Sequence, residues 1–275
     1  MINKINGFVE SQGIKIHYLA NHLNETQQVS LLFLPGVMMP AWIWEKQLDY
    51  FSENYKVIAM DPRSQGDSDQ STEGHYAFSR AKDIKAVVDE LKLQPLVLIG
   101  WSLAVSEVVN YAAHFSSKGL IGLVLVDGLV GIDPSVPFYQ ETVDYWAQLQ
   151  TDRITKTHEF INKIFKQPQS DFYIKKLNEA ALRTPTNTVM TLIDNYILQD
   201  FRPLLSSIEI PTLIATVEGP RLGYMQKIQN KIPRSQLEIV SSAGHALFVD
   251  QPEQFNRLLD KFIESLHASP SYTSL

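Results

Sequence analysis

Around Gln12-Gly13 the chain alternates in polarity, over Phe8 to Glu10 on one side and Ile14 to Leu19 on the other. This spacing predicts a hairpin. Three short apolar runs follow, Val29 to Leu34, Lys56 to Met60 and Leu96 to Ile99, ended by Pro35-Gly36, Asp61-Pro62 and Gly100. Such runs, closed by turn residues, predict strands buried on both faces. From Arg80 to Leu91 the apolar positions Ala81, Ile84, Val87, Val88 and Leu91 fall at helical spacing. Ser102 to Phe115 predicts a second helix and Leu120 to Val126 another buried strand. Strand and helix in alternation predict an α/β fold with a mostly parallel sheet covered on both faces.

The rhythm breaks between about Asp133 and Leu205. Helical stripes occupy Val143 to Leu149, Thr157 to Phe165, Tyr173 to Leu182 and Thr188 to Ile197, with no good strand among them. Strands return at Thr212 to Val217 and Leu237 to Val240, and a helix closes the pattern from Pro252 to Leu266. Two sheet halves that complete each other imply one core of residues 1–132 and 206–267. The expected remainder is a helical cap at 133–205 and a flexible Ser/Pro-rich tail at 268–275.

Composition narrows the chemistry. The 275 residues include no cysteine, which excludes disulfides, thiolate metal sites and a cysteine nucleophile. Lys+Arg 24 against Asp+Glu 30 leaves a net charge of −6, which argues against a nucleic-acid groove or an anionic-membrane surface. No window approaches the ~18 apolar residues of a membrane span. Met1 to Gly7 lacks the apolar stretch of a signal peptide, so a cytoplasmic protein is expected, as monomer or homodimer. His17, His22, His75, His114, His158 and His267 show no metal-ligand spacing, and no metal or cofactor is expected.

Three pieces carry candidate chemistry. Gly100-Trp101-Ser102-Leu103-Ala104 sits where a buried strand meets a helix, close to the G-x-S-x-G nucleophile elbow. A sharp turn there lifts the Ser102 hydroxyl clear of the sheet and demands small residues two before and two after it. Ser is also a common helix N-cap, so this piece alone decides little. Ala243-Gly244-His245-Ala246 places a histidine on a loop after the last strand, at the edge where open α/β sheets bind ligands. A histidine can take a serine's proton at neutral pH. Leu34-Pro35-Gly36-Val37 leaves a buried strand in a loop able to aim the Val37 N–H toward Ser102. With the N–H of Leu103 it would form an oxyanion hole.

Together with Asp61-Pro62-Arg63-Ser64-Gln65-Gly66-Asp67-Ser68 and the extended run Gly244-His245-Ala246-Leu247-Phe248-Val249-Asp250, these pieces resemble the α/β-hydrolase fold family over nearly the whole chain. The family usually reads D-x-x-G-x-G-x-S at the second piece, His-Gly where this chain has Pro35-Gly36, and a second Gly where it has Ala104. Neither of the last two departures removes the N–H of Val37 or Leu103.

The resemblance implies a carboxylate on the far nitrogen of His245. In the family it usually follows the strand after the helical insertion, in a Gly-Asp-x-Asp-like loop. Here that loop is Glu218-Gly219-Pro220-Arg221-Leu222-Gly223, with Glu218 as its only carboxylate. The alternative is Asp127, which ends the strand Leu120 to Val126, as in some members of the family. Both keep the order Ser, acid, His. Asp61 and Arg63 read as charges that structure their loop.

Met38, Met39, Trp42 and Trp44 are expected to serve as pocket wall and core together, and Trp101 to point under the cap, with Met38 and Trp101 in contact with substrate. Phe138, Tyr139, Trp146, Phe160, Phe165, Tyr173 and Tyr196 supply aromatic surface in the insertion. No cluster of Arg and Lys adjoins the motif loops, so an apolar or aromatic ester is expected rather than a sugar or phosphate. The implied activity is that of a serine hydrolase on a small or medium carboxylic ester. Lactone opening and cofactor-free perhydrolysis use the same constellation, and a ligand-binding module on this fold is the non-enzymatic alternative.

Overall fold

The computed structural model describes residues 4–21, 29–115, 119–131 and 139–267. His22, Phe138 and the tail from 268 lie outside them, as does the proposed start of the insertion at 133.

The apolar runs become strands β1 (Lys4–Ser11), β2 (Ile14–Asn21), β3 (Ser30–Leu34), β4 (Lys56–Met60), β5 (Leu96–Trp101), β6 (Leu120–Val126), β7 (Thr212–Thr216) and β8 (Ser235–Ile239). They form one eight-stranded sheet in the order β1-β2-β4-β3-β5-β6-β7-β8. β1 and β2 make the hairpin, whose corner residues Gln12 and Gly13 both take positive φ (53° and 80°), the demand of a tight turn. β2 pairs antiparallel with β4, and every later pairing is parallel. β3, β5, β6 and β7 are buried at every position, which is why they read as continuous apolar runs rather than alternating ones.

Helices α1 (Glu45–Phe51), α2 (Ala77–Glu90), α3 (Ala104–Phe115), α4 (Tyr139–Gln148), α5 (Arg153–Lys163), α6 (Asp171–Leu182), α7 (Thr186–Leu198), α8 (Leu222–Gln229), α9 (Leu247–Asp250) and α10 (Pro252–His267) cover the sheet. One core joins Leu48 and Phe51 of α1 and Phe255, Leu259 and Phe262 of α10 to Phe33, Ile99 and Val124. The other joins Ala81 and Ile84 of α2, Val105 and Val108 of α3 and Met225 of α8 to Leu32, Leu98 and Leu123. Alternate residues of one strand thus feed opposite cores. Burying each such Val, Leu, Ile, Phe or Met side chain contributes about 1.5–3 kcal/mol.

Helices α4 to α7 fill the insertion. Asp152 caps α5 by accepting from the Thr155 N–H (3.1 Å), and Ser170 caps α6 by accepting from that of Tyr173 (3.2 Å). The insertion is tied to the loops at the C-terminal ends of the strands. Leu129 N–H donates to the Tyr196 hydroxyl (2.7 Å), Ala246 N–H to the Ile164 carbonyl (2.8 Å) and Lys166 N–H to Asp250 (2.7 Å).

Helices α1, α8 and α9 had no clear signature in the sequence. The loop after β7 is shorter than its glycines suggested, because α8 begins at Leu222 and takes in Gly223. Nothing lies within 4 Å of where a Gly223 Cβ would stand, so no packing demand explains that glycine.

Candidate active site

β5 stops at a turn in which Ser102 adopts φ 58°, the left-handed region that ordinary residues avoid. Its N–H donates to the Val126 carbonyl at the end of β6 (2.9 Å), which holds the turn against the sheet. A Cβ at Gly100 would sit 2.8 Å from the Ala104 carbonyl and 2.9 Å from both Val108 methyls, so only glycine allows strand and helix to approach. Ala104 is fully buried, and its extra methyl is accommodated.

His245 enters from the loop after β8. Its carbonyl accepts from Trp101 Nε1 (2.9 Å), and Asp250 binds the neighbouring Gly244 N–H (2.7 Å). Asp127 follows β6 with φ 42° and is 2% exposed; its N–H donates to the Ala215 carbonyl (2.9 Å). Asp127 Oδ2 lies 2.6 Å from His245 Nδ1, and Thr216 Oγ1 donates to Oδ1 (2.7 Å). An ionised carboxylate only accepts, so Nδ1 carries the proton and Nε2 is left to accept from Ser102 Oγ, 2.9 Å away. Of the two carboxylates left open by the sequence, Asp127 is the one within reach of His245. Glu218 is exposed at the start of the loop after β7 and makes no hydrogen bond to His245.

Arg221 is the residue the sequence missed. Its Nη1 lies 3.3 Å from Asp127 Oδ2 and 3.0 Å from His245 Nδ1. The loop that could have carried the acid carries a cation to the acid instead. Burial would raise the Asp127 carboxyl, but the His245 hydrogen bond, the charges of His245 and Arg221 and the Thr216 bond outweigh it and hold the group below its ordinary value. Burial, then the Arg221 charge, pushes His245 below its ordinary value, against the opposing pull of Asp127.

The loop after β3 closes over the serine. A Cβ at Gly36 would stand 2.9 Å from the Ser102 Cβ. Met38 takes φ 66°, and Met39 N–H donates back to the Gly36 carbonyl (3.2 Å). Gln65, fully buried, donates to the carbonyls of Gly36 (2.9 Å) and Met39 (3.2 Å), and Arg80 in turn donates to Gln65 (3.2 Å) and Glu107 (2.8 Å). Gln65 therefore fixes the backbone direction of this loop, a role its place in the second motif did not reveal. Among the described residues nothing accepts from the N–H of Val37 or of Leu103.

Met38 and Trp101 are placed differently from expectation. Both are buried, at 0% and 1% exposure, and neither lines the cavity beside His245. Trp101 turns beneath the histidine loop, where its N–H finds the His245 carbonyl and its ring packs edge-on against Phe248. An indole N–H turned to the cavity would forgo that bond. Trp44 stacks on Phe248 in the core with ring centres 3.6 Å apart.

The cavity, about 410 Å³, is walled by Tyr145, Trp146 and Phe160 of the insertion and bounded by Asp127, Arg221 and His245; it meets the relay at the histidine and its carboxylate, and Ser102, 2.9 Å beyond His245 Nε2, is not part of its lining. Lys163 and Glu218 also line it. Two cations thus face a site whose flanking sequence showed no basic cluster. Lys163 reaches it from α5 and Arg221 from the loop after β7, segments 58 positions apart that only the fold unites.

Asp61 and Arg63 hold their loop, as the sequence suggested. Asp61 accepts from the N–H groups of Ala41 (2.5 Å) and Asp67 (3.0 Å) and from His17 Nδ1 (2.6 Å), and Arg63 grips Asp83 with two bonds of 2.6 Å. His17, Asp61 and Asp67 bring ligand atoms within 4.8 Å of one another. Those of His17 and Asp61 are engaged in these bonds and that of Asp67 pairs with Arg183 (2.7 Å), so His17 and Asp61 act as a pin between β2 and the loop after β4.

A profile described as the Alpha/beta hydrolase family matches residues 31–258, and the chain belongs to that family. Among its relatives are a non-heme chloroperoxidase of Streptomyces lividans, 35% identical with 86% of this chain and 91% of that protein covered, and the carboxylesterase YbfK of Bacillus subtilis, 25% identical with 93% and 86% covered. A solved esterase from Exiguobacterium antarcticum has the same fold, with a TM-score of 0.85, 20% identity, and 94% of this chain and 100% of that one covered. No helix among the described residues is long and apolar enough to cross a membrane.

Proposed function

We propose that this chain is a serine hydrolase that cleaves small or medium carboxylic esters through an acyl-enzyme on Ser102. The observation that carries this is the unbroken relay from Ser102 Oγ to His245 Nε2 (2.9 Å) and from Nδ1 to Asp127 (2.6 Å), ending at the wall of the cavity. Ser102 attacks the ester carbonyl while His245 takes its proton, and Asp127 holds the tautomer and steadies the imidazolium. The developing oxyanion rests on the N–H groups of Val37 and Leu103, each contributing about 3 kcal/mol. His245 then protonates the leaving alcohol, and water repeats the attack on the acyl-serine. No step requires a metal or a redox cofactor.

The likeness to the chloroperoxidase supports a second reaction, in which hydrogen peroxide replaces water at the acyl-enzyme and a peracid leaves. A lactone, as a cyclic ester, would enter by the same steps.

The test is intact-mass labelling by a fluorophosphonate with ester turnover measured in parallel. Wild type labels once and turns over. Ser102→Ala does neither, with turnover down by roughly 10⁴-fold or more, and keeps its melting temperature. Turnover retained in Ser102→Ala sinks the proposal. Peracid formation from acetate and peroxide measures the second reaction.

A further inference from the structure

We propose that the cavity adjoining His245 receives the acyl end of esters that carry a free carboxylate remote from the scissile bond, held there by Arg221 with Lys163. The inference rests on the hydrolase function above and names its substrate class.

Arg221 is poorly satisfied where it stands. Its side chain is 42% exposed on the cavity wall. Nη1 reaches Asp127 only at 3.3 Å and 3.5 Å, the edge of hydrogen bonding. Its shortest approach, 3.0 Å, is to His245 Nδ1, whose proton already serves Asp127, so donor faces donor. Among the described residues nothing accepts from Nε or Nη2. A guanidinium offers five donors in a planar fork matched to a carboxylate. The fork therefore rests one nitrogen on Asp127 and keeps Nε and Nη2 unengaged among the described residues, able to take a second anion.

Lys163 supplies the second charge. Its ammonium stands 5.0 Å from the ring centre of Tyr145, a cation–π contact on the aromatic wall. It has no ion-pair partner among the described residues, whereas its neighbour Lys156 pairs with Glu159 at 2.9 Å. The opposing charges are two. Asp127 is committed to His245 and Thr216, and Glu218, exposed in the lining, is paired with neither cation. Trp146 and Phe160 line the same cavity, so the preferred ligand has an apolar body and one anionic end. A monoester of a dicarboxylic acid has this form, and its hydrolysis yields the dicarboxylate and an alcohol.

The position of Arg221 also couples recognition to chemistry. A carboxylate that draws the fork outward removes a cation from the face of His245 just when the imidazolium must form.

The test compares kcat/KM for the para-nitrophenyl monoester of glutaric acid with that for para-nitrophenyl pentanoate, of equal chain length but uncharged. Wild type is expected to favour the charged ester by about tenfold, the equivalent of one charge-assisted contact. The preference should collapse in Arg221→Gln, fall in Lys163→Gln, reverse in Lys163→Glu and weaken at high salt. A merely structural Arg221 would slow both esters alike and leave their ratio unchanged. Wild type without preference, or a preference that the variants keep, overturns the inference. Calorimetric titration of Ser102→Ala with monomethyl glutarate and with uncharged methyl pentanoate reads the same selectivity without turnover. Absence of all turnover and labelling would count against the hydrolase function, while equal affinity for the two esters counts against the charge recognition.

Discussion

Asp127 meets His245 from the end of β6, at 2.6 Å, while the loop after β7, where a triad acid was sought, places Arg221 beside them both. The acid and the loop residue have in effect divided one location. Asp127 is sealed and held by Thr216, and Arg221 remains open to the cavity.

Asp127→Asn should therefore lower kcat by roughly 10³–10⁴-fold, since an amide presents Nδ1 with either a donor or a weaker acceptor and loses the tautomer. Glu218→Gln should retain most of the activity. Steady-state kinetics on the two variants checks this, and the reverse order would return the acid to the loop after β7.

The acid limb of the kcat/KM profile reports protonation of His245 in the free enzyme. Burial and the Arg221 charge favour the neutral ring, so the limb should lie below the ordinary histidine value of 6.5. Arg221→Gln removes a cation that disfavours the imidazolium, so the limb should move to higher pH. A pH–rate series on both proteins with the neutral ester decides it.

Gly36→Ala would put a methyl 2.9 Å from the Ser102 Cβ, where the loop or the serine must give way. The Val37 N–H, the proposed oxyanion donor, then moves off target. Loss of one such donor costs about 3 kcal/mol, roughly 10²-fold in kcat, with KM little changed. Turnover equal to wild type would show that the loop does not approach the serine as closely as described.

Arg80 and Glu107 are each 1% exposed and joined at 2.8 Å. Burial raises the Glu107 carboxyl, and the Arg80 charge opposes that rise. Arg80→Leu leaves the acid without its partner and Gln65 without its donor. The expected loss is about 3–5 kcal/mol of stability, measured by denaturant unfolding. A deletion of both charges, Arg80→Leu with Glu107→Leu, should recover part of it.

The sequence by itself determined the succession of strands and helices along the chain. β3, β5, β6 and β7 are buried on both faces, and that burial writes itself as apolar runs ended by turn residues. Ser102 and His245 were legible for the same reason: a sharp elbow needs Gly100, and a strand-end loop marks His245. Helices α1, α8 and α9 were not, because at 7, 8 and 4 residues each is too short for its apolar positions to show a helical period.

Tertiary structure alone decided which carboxylate serves His245. Asp127 and Glu218 both follow strands, and only the pairing of β6 beside β7 brings the Asp127 N–H to the Ala215 carbonyl and its side chain to Thr216. It likewise turned Trp101 under the histidine loop and gathered Lys163 and Arg221 around one cavity. Charge acts through space over a few ångströms, and residues 58 positions apart in the chain carry no local sign that they will share it.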